Sequence, residues 1–155
     1  MHRLLLIGLL TAAAAAAAPA PGREAAAASE VEITVHKTPW CGCCGNWVEH
    51  LRDHGLSVKV VEHDDLTALR ASLGVPPALA SCHTAEAGSY RIEGHVPARE
   101  IRRLLLERPE GVRGLAVPGM PLGSPGMEAG GRRQPYDVIA FGENGERHVY
   151  QSYRD

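Results

Sequence analysis

The chain has 155 residues, 45% of them hydrophobic and 22% charged, with a formal net charge of −2. It is long enough for one modest core and too short for two, and it lacks the basic face that a nucleic-acid phosphate backbone would demand. Only four cysteines and three methionines are present, and their placement carries most of the chemistry.

Met1, His2 and Arg3 precede an apolar run over residues 4–18 with no charge until Arg23. A short basic start, an apolar stretch and then small residues have the build of a secretory signal. The run is shorter than the roughly 20 residues that cross a bilayer, so no permanent membrane span is expected. Pro19, Pro21 and Gly22 argue against a buried alanine-rich helix. Residues 1–28 are therefore expected to be removed, leaving 29–155 as a single exported domain, with the periplasm as destination. Such a compartment oxidises thiols.

Val31, Ile33 and Val35 alternate with polar residues and predict a first strand. It runs into "TPWCGCCG", residues 38–45, where Cys41, Cys43 and Cys44 fall within four positions. After Gly45, the spacing of Trp47, Val48 and Leu51 predicts a helix stopped by Gly55. The thiols are thus expected between strand and helix, where the helix dipole favours thiolate over thiol. Relaxed disulfides need Cα atoms ~5.5 Å apart in a defined orientation, so of the pairs in this loop only Cys41–Cys44 is comfortable. Residues 57–61 read as a second strand. Residues 64–73 read as a helix capped by Asp64 or Asp65 and closed by Gly74. Pro76 and Pro77 break the chain before a short strand ending near Cys82. Residues 89–93 read as another strand, and 97–107 as a helix with Pro97 in its first turn and Ile101, Leu104 and Leu105 on its apolar face. Beyond Glu110 a Gly/Pro-rich stretch reads as irregular, and 137–141 and 146–151 flank "GENG" as a hairpin.

The order βαβαββα with "WCGCC" after the first strand resembles thioredoxin, Cys43 standing where that family carries proline. The resemblance implies an α/β, thioredoxin-like fold with a C-terminal Gly/Pro-rich loop and β-hairpin extension. It also implies a cis Val75–Pro76 bond facing the thiols, and Cys82 on the strand that Pro76 opens.

After the signal, the remaining methionines both lie in Pro-Gly-Met tripeptides, 118–120 and 125–127. In such a loop Met120 and Met127 either cover apolar surface or form a lid carrying thioether ligands. Thiolate with thioether is the soft set that selects Cu(I), whereas zinc is satisfied by Cys and His. His83 beside Cys82, His95 before a helix, and His36 at the end of the first strand are expected near the site. His50 and His54 share a helical face and read as solvated rather than as a metal pair.

The blocks "KTPWCGCCGNW", "PPALASCHTA", Tyr90–Pro97 and "GLAVPGMPLGSPGME" resemble, in order and from about Val31 to Tyr150, the CopG-type copper-resistance proteins. That resemblance implies a periplasmic copper-handling protein with Cys41, Cys43, Cys44 and Cys82 as ligands, acting with copper ions and other periplasmic copper-handling proteins. Three thiolates on one tight loop converge poorly on a single tetrahedral ion but readily bridge two. A polynuclear Cu(I) cluster is therefore expected, with His83, His95, Met120 and Met127 as outer or capping ligands, and Cu(I)/Cu(II) cycling as a secondary role. The alternatives are a thiol–disulfide oxidoreductase, with Cys41 attacking and Cys44 resolving, and a structural zinc module.

Overall fold

In the computed structural model the described residues are 31–154, so the expected signal segment 1–28 lies outside them. The elements run β1 (Ile33–Lys37), α1 (Gly42–Asp53), β2 (Val58–Glu62), α2 (Thr67–Ser72), a 3₁₀ turn (Pro77–Leu79), β3 (Thr84–Ala87), β4 (Tyr90–Glu93), α3 (Ala98–Glu107), β5 (Gly114–Ala116), β6 (Tyr136–Phe141) and β7 (Arg147–Tyr153). The mixed α/β order read from the sequence is found, followed by one additional short strand and the expected hairpin.

One seven-stranded sheet has the order β2-β1-β3-β4-β5-β6-β7. Its β1–β2 and β4–β5 pairs are parallel and the others antiparallel. Because side chains alternate along a strand, register fixes two rows across the sheet. Val35, Ala85, Ile92, Leu115 and Ala140 are successive partners on one face. They join Trp47, Val48 and Leu51 of α1 and Ile101 and Leu104 of α3 in the main core. The adjacent row, His36, Thr84, Glu93, Ala116 and Ile139, points the other way. There Leu79 packs with Ala116 and Phe141 in a smaller cluster.

The amphipathic spacing accounts for α3: Ala98, Ile101, Leu104 and Leu105 are buried while Arg99 and Arg102 stay on the other side. Its start is supported by His50, whose Nε2 accepts the Ala98 N–H at 3.1 Å. His54 donates Nδ1–H to the His50 carbonyl at 2.7 Å. The i, i+4 histidines are therefore tied up in packing contacts and are not grouped with a third metal donor among the described residues. Nor are they simply solvated, since His50 is half-buried and ties two helices together.

Several expectations are corrected. Helix α1 begins at Gly42, four residues before the expected start after Gly45, so Cys43 and Cys44 lie inside its first turn with Cys41 at the N-cap. No peptide bond among the described residues is cis. Val75 N–H closes α2 on the Arg70 carbonyl, and Pro76 turns directly into the 3₁₀ segment, its carbonyl accepting Leu79 N–H at 2.8 Å. The chain there makes a helical turn rather than opening a strand, so Cys82 precedes β3 instead of ending a strand. The stretch after Glu110 is not wholly irregular, because Gly114–Ala116 pairs with both β4 and β6.

Candidate metal centre

Strand β1 delivers the chain to the N-terminus of α1. The N-cap Cys41 has an extended backbone and makes no side-chain capping bond. The open N–H groups of that first turn and the positive end of the dipole lie at the cysteine-bearing end of the helix. Cys44 is fully buried; Cys41 and Cys43 are partly exposed. Cys41 and Cys44 are joined in a disulfide with Cα atoms 5.4 Å apart, the pairing expected to be comfortable, while Cys43 and Cys82 are free thiols. The Cys43 sulfur lies 3.6 Å from that of Cys41.

The second half of the centre comes from the approach to β3. Alternation sends Thr84 to the small-core face and His83 back toward α1. There its ring packs on Trp47 with centroids 4.3 Å apart, and Trp47 is held by its Nε1–H donating to the Val96 carbonyl at 2.9 Å. Cys82 thereby meets the α1 sulfurs: the four Sγ atoms all lie within 4.8 Å of one another. Cys82 Sγ is also 3.0 Å from His95 Nε2 and 3.3 Å from His83 Nδ1. Cys82, His83 and His95 form a second group of donors within 4.8 Å of one another.

The electrostatics favour neutral donors. Burial, with Cys43 alongside, pushes the Cys82 thiol up to about 12. Burial likewise holds His83 well below its ordinary value, with His95 adding to the effect. His95 is lowered by burial against the opposing pull of the Pro125 carbonyl and Glu128. His95 donates Nδ1–H to Pro125 O at 2.8 Å, which leaves the Nε2 lone pair aimed at Cys82. A backbone carbonyl on the far nitrogen is the usual way a ligating imidazole is oriented.

The two Pro-Gly-Met tripeptides bracket this centre. Ser81 Oγ donates to Gly119 O at 2.6 Å, which sets Met120 beside the residue preceding Cys82. Gly126 lies against the first turn of α1: a Cβ there would come 2.8 Å from Cys43 O and 2.7 Å from Trp47 N. Met127 follows it, partly buried, whereas Met120 is 52% exposed. His36, expected close by, is turned to the opposite sheet face. There its Nδ1 lies 2.9 Å from His63 Nε2, and its Nε2 lies 3.3 Å from Glu86.

One functional element escaped the sequence. Glu93, fully buried, accepts Ser81 N–H at 2.6 Å, Arg70 Nε–H at 2.9 Å and the Thr84 hydroxyl. Arg70 Nη2 in turn donates to Ser81 O at 2.5 Å. Both backbone groups of Ser81 are therefore clamped, and Cys82 is the next residue. The available signal was a carboxylate closing the strand "YRIE" on an inward position.

This arrangement, a mixed α/β domain that gathers four cysteine sulfurs and two neutral imidazoles, defines a small protein of copper-related metal binding. Two solved structures resemble it: "Copper resistance protein copG- Form 1", at 40% identity and TM-score 0.76 over 81% of this chain and 98% of that chain, and "Copper resistance protein copG- Form 2", at 41% identity and TM-score 0.75 over 79% and 98%. The chain belongs to the CopG family of copper-resistance proteins. Residues 79–127 also match the family described as "Protein of unknown function, DUF411". No curated protein matches the sequence. None of the helices in the described residues is long and apolar enough to cross a membrane.

Proposed function

We propose that the chain is an exported, periplasmic copper-binding protein of copper resistance. In its reduced form it takes several Cu(I) ions as a thiolate-bridged cluster on Cys41, Cys43, Cys44 and Cys82. His83, His95, Met120 and Met127 act as outer or capping ligands. The observation that carries this reading is the mutual approach of the four sulfurs to within 4.8 Å. Thiolates this close share soft monovalent ions, and thiolate, imidazole and thioether together match copper better than any hard cation. The relatives' name as copper-resistance proteins supports the same metal. Export rests on the segment 1–28, and donors or acceptors of the copper would be other periplasmic copper-handling proteins. Cycling between Cu(I) and Cu(II) at these sulfurs is a secondary role.

Anaerobic Cu(I) titration of the reduced mature chain should give more than one copper per chain, and Cys43→Ser should remove most of that capacity. A stoichiometry of one, or none against a moderate chelator, refutes the cluster. The second reading, disulfide exchange by Cys41 and Cys44, draws on the bond seen between them. It predicts insulin-reducing activity that survives Cys43→Ser.

A further inference from the structure

The copper reading needs four thiolates, yet two of the four sulfurs are bonded to each other while the remaining two are free. A disulfide sulfur is a poor donor, since thiolate is the metal ligand. The closed form nevertheless retains a complete smaller donor set. Donor atoms of Cys82, His83 and His95 lie within 4.8 Å of one another: Cys82 Sγ is 3.3 Å from His83 Nδ1 and 3.0 Å from a His95 Nε2 whose lone pair is kept free by the Pro125 contact on the other nitrogen. These three residues lie outside the Cys41–Cys44 ring, Cys82 placed by the Ser81 clamp, His83 by Trp47 and His95 by the Pro125 loop.

The geometry points to a centre with two copper capacities set by the Cys41–Cys44 bond. While the bond is closed, one Cu(I) is held by the Cys82 thiolate with His83 and His95; once it is open, Cys41 and Cys44 add their sulfurs to that of Cys43 and the centre takes several ions. This inference deepens the cluster reading and rests on it. One thiolate and two imidazoles complete three-coordinate Cu(I), and with Cys41 and Cys44 bonded to each other a second ion would find too few thiolates to hold it. Opening is a thiol–disulfide exchange with a dithiol reductant. Its thiolate attacks Cys41, the sulfur of the pair that is not fully buried, and Cys44 leaves as thiolate. The reductant's second thiol then displaces Cys41 and closes the reductant's own disulfide. Two electrons pass to the pair, and the two sulfurs gain protons that Cu(I) later displaces. The capacity for copper would then follow the thiol poise of the compartment.

The test compares mature protein isolated with the bond closed, verified as two titratable thiols per chain, against fully reduced protein. Both are titrated anaerobically with Cu(I) in competition with a chromogenic Cu(I) chelator, and both are examined by X-ray absorption. The expected result is about one copper without a Cu–Cu vector in the closed form, and several coppers with that vector in the open form. In the closed form His95→Ala should weaken binding by more than the roughly 10- to 100-fold that loss of an outer-shell partner costs. The Cys41→Ser/Cys44→Ser double variant, which cannot close, should hold one copper even in reducing buffer. Several coppers in the open form but none in the closed form, or a closed form indifferent to His95→Ala, would overturn the inference and leave the cluster standing. One copper or none in the open form would overturn both.

Discussion

Gly119 and Gly126 occupy the same place in two copies of Pro-Gly-Met, and both have positive φ, +71° and +82°. Replacing either by alanine imposes the left-handed backbone on a residue with a Cβ, which costs about 1–2 kcal/mol. They differ in surroundings. An added Cβ at Gly119 meets nothing within 4 Å, whereas at Gly126 it would lie 2.7 Å from Trp47 N and 2.8 Å from Cys43 O. Those are backbone atoms of the helix that carries the thiols, so relief requires the loop to lift off α1. Overpacking of this kind adds about 1–3 kcal/mol. Gly126→Ala should therefore be less stable than Gly119→Ala by about that increment in urea unfolding, where each variant's midpoint is compared at unchanged slope. The lifted loop also carries Pro125, so His95 loses the carbonyl that orients it, and Cu(I) affinity should fall in Gly126→Ala more than in Gly119→Ala. Equal destabilisation in the two variants would show that the loop does not rest on α1, and that Met127 is not held at the centre.

Glu93→Ala should destabilise the fold by about 3–5 kcal/mol, because it strands the largely buried Arg70 guanidinium without its partner and leaves Ser81 N–H without an acceptor. The same variant should weaken copper binding by freeing Cys82; unchanged Cu(I) competition would remove the clamp from any role in the centre. His50 makes stability depend on pH. Burial, with His54 adding, lowers its folded pKa below the ordinary 6.5, so the unfolded chain takes up the proton first. The His50 contribution is therefore present above about pH 6.5 and is lost as pH falls from there toward the folded pKa. His50→Gln should flatten the fall in unfolding free energy between pH 7.5 and 5.5 relative to wild type; an unchanged slope would show that the His50 ring is not buried in solution.

Local pattern was enough to read most elements, because each rests on a period that a few neighbouring residues set. The alternation at Ile33 and Val35, the helical spacing at Trp47, Val48 and Leu51, and the hairpin around "GENG" are all of this kind, and each is found. Where the reading failed, the deciding partner was distant. Strand β5 has only three residues and exists because β4 and β6 lie on either side of it. Val75–Pro76 is trans, and the chain beyond it enters a turn closed by Leu79. His36 and His50 found partners at His63 and Ala98 that no local period discloses.

The same division runs through the candidate site. Sequence alone determined which soft donors the chain possesses, that three of them ride a helix start, and that the two methionines sit in matching Gly/Pro turns, since these follow from composition and short-range spacing. Tertiary structure decided that Cys82 reaches those thiols, that His95 turns Nε2 toward it, that Arg70 and Glu93 grip Ser81, and that Cys41 and Cys44 are joined in a bond. Those outcomes depend on the register of β1, β3 and β4 and on a loop folding back onto α1. Such contacts between residues far apart in the chain form only when the whole sheet and its two cores close together.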